Sequence, residues 1–178
     1  MSVIAFRSPL ILALIISPLS GCGLTQSVVD GTASATKAIF YKQIKTLYLD
    51  FSARTALNTD ETDMATLSVP AMVRVYQLRD GKAVAKATYQ SLLTHGESVL
   101  QDDLLSWLEV VVKPGEGARL DMPMEREATC VAVVGLFRSP DTVKNTWRIV
   151  ISREQLDPDN PRVIELAENA LVLKPPKE

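Results

Sequence analysis

The sequence has a single histidine, two cysteines and almost no net charge, and each scarcity removes a class of function. The formal charge is −2, from 19 basic and 21 acidic residues. That balance leaves no electrostatic footprint for nucleic acid and no polybasic patch for an anionic membrane surface. One histidine, His95, cannot build a histidine-based metal centre without partners, and no second histidine or paired cysteine exists to supply them. Its place before Gly96 fits a helix C-terminal residue, favourable at the negative end of the dipole. The chain contains no glycine-rich phosphate loop and no Gly-x-Ser-x-Gly elbow. Asp102-Asp103 is not a catalytic carboxylate pair, because helix neighbours point about 100° apart. The expectation is therefore a protein with no catalytic, cofactor or metal residues.

Two cysteines permit at most one disulfide, but Cys22 lies in a processing motif that would consume its thiol. Cys130, inside the apolar run Ala128–Phe137, is then left unpaired and is expected to be a buried, inert thiol.

The N-terminus carries the strongest signal. Met1–Arg7 has one positive charge and no negative one, Pro9–Leu19 is almost wholly apolar, and Leu19-Ser20-Gly21-Cys22 follows. A short positive region, an apolar stretch of roughly 7–15 residues and small residues at a cut site define an export signal. The stretch is too short to span about 30 Å of hydrocarbon, and Pro18 interrupts it. Leu-Ser-Gly-Cys resembles the bacterial lipobox. Ser20 and Gly21 are small enough for the peptidase pocket, and the Cys22 sulfur accepts a diacylglycerol as a thioether. Two or three acyl chains hold a membrane far more firmly than one. Residues 1–21 are thus expected to be a lipoprotein signal peptide. Residues 22–42 are a lipidated N-terminus and tether, and residues 43–178 a folded domain. Removal of residues 1–21 from 178 leaves 157, enough for one domain with a real core. Gly23, rather than Asp, follows Cys22, which in this lipoprotein class implies outer-membrane sorting.

The body alternates with period two, the signature of half-buried strands. Leu47, Leu49 and Phe51 share one face. Val73 and Val75 do the same, as do Leu108, Val110 and Val112, then Leu120, Met122 and Met124, then Trp147, Ile149 and Ile151. Val131–Phe137 is apolar on both faces, as in a fully covered central strand. Val163–Leu173 reads as a broken strand, a hairpin or a short helix. Helical periodicity marks Ala85–Leu93 and Glu97–Leu105. Trp107 and Trp147 read as core residues rather than ligand platforms. Six to eight short strands separated by Gly/Pro/Asp turns predict a mainly β fold, a two-sheet β-sandwich with one or two short helices.

Several segments together suggest a family. They are Ala56–Leu78, with its Asn-containing loop and Val-Arg-Val-Tyr-Gln-Leu run, then Thr88–Leu93 (TYQSLL), Lys113–Gly115, Val131–Pro140 (VAVVGLFRSP) and Thr146–Ile151 (TWRIVI). With the lipobox, their order and spacing resemble the TssJ family (VasD/SciN), outer-membrane lipoproteins of the type VI secretion system. The resemblance runs from Cys22 to about Leu173. It implies a transthyretin-like sandwich, anchored by lipid in the outer membrane and facing the periplasm. It also implies a partner, the periplasmic domain of TssM, bound mainly through the loop between the first two strands. Here that loop maps to about Arg54–Val69, with Asn58, Thr59, Asp60, Glu61, Thr62, Asp63 and Met64 as its exposed tip. The loop is long for a hairpin connection and carries three acids able to set register against a basic patch. Met64 and Leu67 are its candidate apolar anchors. The alternatives are a pilotin or chaperone-like lipoprotein of a different secretion machine, and a lipoprotein enzyme supported only by generic surface acids.

Overall fold

A computed structural model describes residues 44–60 and 67–176. The expected signal peptide (residues 1–21), Cys22, the expected tether (residues 22–42) and Glu61–Met64 of the loop lie outside the described residues.

Eight strands form two four-stranded sheets. The first sheet has the order β4-β1-β7-β8, built from β1 (Thr46–Leu57), β4 (Gly117–Pro123), β7 (Arg162–Glu168) and β8 (Ala170–Leu173). The second has the order β3-β2-β5-β6, built from β2 (Ala71–Leu78), β3 (Leu104–Val112), β5 (Cys130–Leu136) and β6 (Arg148–Ser152). β1 and β7 run parallel, and every other pairing is antiparallel.

The alternation in the sequence is what closes this sandwich. Leu47 and Leu49 of β1 sit opposite Met122 and Leu120 of β4, and Phe51 sits beside Ile164 of β7. All six are buried and face the second sheet. Val73 and Val75 of β2 meet them, in register with Gly135 and Val133 of β5. Each such fully buried aliphatic side chain contributes about 1.5–3 kcal/mol. A polar residue of β2 enters this layer. Gln77, fully buried, donates Nε2 to the Pro123 carbonyl at 2.8 Å and accepts from the Glu125 N–H at 2.7 Å, stitching β2 to the end of β4.

Helices α1 (Lys82–Lys86) and α2 (Tyr89–Leu100) pack on the outer face of the second sheet. Two arginines in one cross-strand row hold them: Arg74 of β2 and Arg148 of β6, each in register with Val134. Arg148 donates to the carbonyls of Val84, Ala85 and Ala87 at 2.7 Å and stacks 4.8 Å over the Trp147 ring. Arg74 donates to the carbonyls of Leu92 and Leu93, at 3.0 and 3.1 Å. Both place a cation at carbonyls that a helical turn leaves unsatisfied. The helices bury one face of β5 and the first sheet buries the other, so β5 is the fully covered strand its composition predicts.

The helix limits differ from the sequence expectation. Ala87 and Thr88 are extended, and the Thr88 hydroxyl caps a new helix by accepting from the Ser91 N–H, so Ala85–Leu93 is split between two helices. The predicted helix Glu97–Leu105 ends at Leu100, and Leu104 begins β3 opposite Leu78; strand pairing outweighs the four-residue spacing of Leu100 and Leu104. His95 is a kink inside α2 (φ −138°, ψ 36°) rather than its last residue. The chain must turn there because Gly96 passes over Tyr76, whose hydroxyl leaves no room for a Cβ. Val163–Leu173 resolves into the β7–β8 hairpin. Trp147 is core; Trp107 is partly buried against Tyr76. Cys130 is buried and free, and burial pushes its thiol pKa up, as an inert cysteine requires.

Candidate partner-binding loop and its clamp

β1 sets the geometry of the candidate site. At about 3.3 Å per residue, its 12 residues separate Thr46 from Leu57 by roughly 35 Å. The described fold begins at Ile44, just before one end of β1, and the β1–β2 loop leaves from the other.

At the near end, Arg153 locks the beginning of the fold. It follows β6 in the 3-10 turn Arg153–Gln155 and is buried, with 3% of its surface exposed. Its Nη1 donates to the carbonyls of Glu125 and Ala128 at 2.7 and 2.8 Å, and its Nη2 to the carbonyl of Ile44 at 3.1 Å. The Lys45 carbonyl accepts from the Met124 N–H at 2.9 Å. A buried cation is tolerated when such a ring of carbonyls replaces its water.

At the far end, Asn58 plays the matching part. It is buried, with 4% exposed, and adopts a left-handed backbone (φ 50°) that asparagine accepts better than most residues. Its N–H donates to the Glu168 carbonyl at 2.6 Å. Its Nδ2 donates to the Pro70 carbonyl at 3.0 Å, joining the two ends of the loop. Its Oδ1 accepts from the Arg138 N–H at 2.7 Å, fixing the loop to the β5–β6 connection. Around it, Val69 N–H donates to the Leu57 carbonyl, and Asn169 Nδ2 donates to the Thr59 carbonyl at 2.9 Å. The Arg138 guanidinium lies 3.6 Å from the Asp60 carboxylate.

Asn58 therefore does not belong to an exposed tip, contrary to the sequence expectation; it is the buried clasp at the loop's root. Arg54–Leu57, assigned to the loop from sequence, are the last residues of β1. Thr59 and Asp60 are half-buried at the root, and Leu67, 60% exposed, is the first described residue on the return side. Sequence reasoning missed two neighbours: the β7–β8 turn at Glu168-Asn169 and Arg138 on the β5–β6 connection. Ser139-Pro140-Asp141 signalled a turn there, but nothing in the local pattern said that it would abut the β1–β2 loop.

Among the described residues no group of histidine, cysteine, aspartate and glutamate is placed to hold a metal ion, and no helix is long and apolar enough to cross a membrane. His95 is exposed at the helix kink, with its Nδ1 2.8 Å from the Thr94 hydroxyl.

Residues 45–169 match the family described as Type VI secretion lipoprotein, VasD, EvfM, TssJ. The chain belongs to that family. TssJ-family proteins are structural lipoprotein components of the secretion apparatus, not enzymes. Solved structures agree. One chain of the structure described as "Type VI membrane complex" is 41% identical, with a TM-score of 0.70, covering 75% of this chain and 100% of that one. A chain of the structure described as "T6SS protein TssM C-terminal domain (869-1107) from EAEC" is 39% identical, with a TM-score of 0.67, covering 74% and 99%. Serratia marcescens Lip, described as a membrane bound component of the type VI secretion system, shares the fold at 23% identity, with a TM-score of 0.64, over 74% of this chain and 98% of its own. A search of the curated proteins returns no match.

Proposed function

We infer that this TssJ-family protein is a non-enzymatic anchor: a lipoprotein acylated on Cys22 that ties the type VI membrane complex to the outer membrane by binding the periplasmic domain of TssM. Residues 1–21 are removed on export, residues 22–42 are the tether, and the sandwich faces the periplasm. The described fold begins at Ile44, and the candidate loop leaves about 35 Å away, at the far end of β1. That opposition carries the reading. An anchor must present its docking element away from the bilayer that holds it. The ~40% identity to chains in structures described by TssM and by the membrane complex supports the same partner.

In this reading Asn58 holds the loop and does not itself touch the partner. Contact falls to Thr59, Asp60, Glu61, Thr62, Asp63 and Met64, with Leu67 as an exposed apolar neighbour. The three acids supply complementarity to a basic surface and set docking register. Confinement by the lipid raises the effective concentration of the loop near its partner. The test is a pull-down of the TssM periplasmic domain by the acylated protein. Reversing the charges of Asp60, Glu61 and Asp63 is expected to weaken capture by about ten-fold or more; unchanged capture removes the loop from the mechanism. Cys22→Ser is expected to release the protein from outer-membrane fractions.

A further inference from the structure

Docking at the far end leaves unused a cavity of about 460 Å³ at the near end, beside the point where the chain enters the fold. It lies at the start of β7, where Arg162 is in register with Leu49 of β1, and its wall continues through the turn that follows Arg153. Leu156, Pro161 and Pro176 line it with apolar surface.

Arg162 is the residue that needs an explanation. It is 93% buried (7% exposed) and points inward from β7 with Ile164 and Leu166. Its Nη2 donates to the Lys174 carbonyl at 3.2 Å, but its Nε is buried with no acceptor among the described residues. A buried guanidinium so poorly supplied is costly. An oxyanion with two or more oxygens is the ligand that offsets such a cost, because it matches the guanidinium fork.

A simple anion does not fit the rest of the lining, which includes the acidic residues Asp157 and Glu154. Asp157 accepts from the Asp159 and Asn160 N–H groups at 2.8 and 3.0 Å and from Asn160 Nδ2 at 3.3 Å. These bonds hold its carboxyl below the usual range, so it is charged at neutral pH. A simple cation would meet Arg162. A zwitterion with phosphate and ammonium a few ångströms apart satisfies both walls, and the apolar side receives the glycerol carbons that follow. We propose that this cavity binds the phosphoethanolamine headgroup of a phospholipid, with the phosphate on Arg162 and the ammonium toward Asp157 and Glu154. The assignment rests on the reading that this end faces the bilayer. Its consequence is orientation: a captured headgroup seats the near end on the membrane and points the β1–β2 loop away from it.

The test is nitrogen-15 NMR of the Arg162 Nε–Hε signal in the acylated, mature protein in detergent, titrated with dihexanoylphosphatidylethanolamine. A saturable shift is expected. It should need about ten-fold more of the phosphatidylcholine analogue, which has no N–H donor, or of the phosphatidylglycerol analogue, which has no ammonium. Glu154→Gln, an exposed position, is expected to weaken binding about three-fold, and Arg162→Gln to abolish it. If Arg162→Gln does not fold, the Glu154 variant and the headgroup series decide. No shift overturns the proposal. Equal response to inorganic phosphate overturns the zwitterion, and equal affinity for free phosphoethanolamine overturns the lipid as its source. Mass spectrometry of the same sample separates the two readings: a bare Cys22 with an intact headgroup response refutes the anchor and leaves the site.

Discussion

Asn58→Ala tests the clamp at the root of the loop. The substitution deletes two side-chain hydrogen bonds, to the Pro70 carbonyl and from the Arg138 N–H. Each is worth about 1 kcal/mol net when both partners are considered, and more when the abandoned group stays buried. Alanine also takes over a backbone at φ 50°, a conformation costing a non-glycine residue about 1 kcal/mol or more. The sum is about 3 kcal/mol. Glycine adopts the same φ without the steric cost, so Asn58→Gly is expected to lose about 2 kcal/mol. Asn58→Asp keeps the acceptor for Arg138 but points a carboxylate at the Pro70 carbonyl, and should fall near the alanine variant. Urea unfolding followed by fluorescence of Trp147, buried in the core, reads all three, with the slope unchanged and only the midpoint moved. The order alanine below glycine below wild type is the signature. A loss under about 0.5 kcal/mol for alanine, with glycine no better, would refute the clasp, since that is the level expected of an exposed residue.

Other perturbations follow from the same geometry. Arg153→Ala strands the carbonyls of Ile44, Glu125 and Ala128 and is expected to cost about 3 kcal/mol in urea melts, with hydrogen exchange accelerated in the first residues of β1. Gly96→Ala drives a Cβ into the Tyr76 hydroxyl and should cost about 1–3 kcal/mol, partly recovered by Tyr76→Phe in a double-mutant cycle. Cys130 should resist thiol reagents at pH 8 in the folded protein and react on denaturation; rapid native labelling would contradict its burial. The Glu165 carboxyl is held below its ordinary range by Lys174 and then Arg54. Because its folded pKa is depressed, its contribution is complete above the unfolded value near 4.3 and is lost as pH falls through the folded value. Wild type should therefore lose stability on acidification over that range, and Glu165→Gln should lose less.

The strands were legible because a half-buried strand writes its face into every second residue: Leu47, Leu49 and Phe51 need no tertiary information to be assigned. β5 was legible as a covered strand because both of its faces are apolar. The arginine clamps were not legible. Arg74, Arg148 and Arg153 each satisfy backbone carbonyls far along the chain, and a carbonyl has no residue type to announce it. Asn58 shows the same limit at the site itself. Asparagine in a polar loop reads as exposed, and only the approach of Pro70 and Arg138 buries it. The helix ends failed for a related reason, since Leu100 and Leu104 hold helical spacing although pairing with Leu78 claims the second for β3.

The most direct measurement is site-specific photocrosslinking in cells that assemble the secretion complex. A benzophenone side chain is placed in turn at exposed Leu67 beside the loop and at exposed Asp159 near the chain's entry to the fold. Adducts with TssM from Leu67 and none from Asp159 are expected; adducts from Asp159 with none from Leu67 would contradict docking at the end of β1 farthest from Ile44.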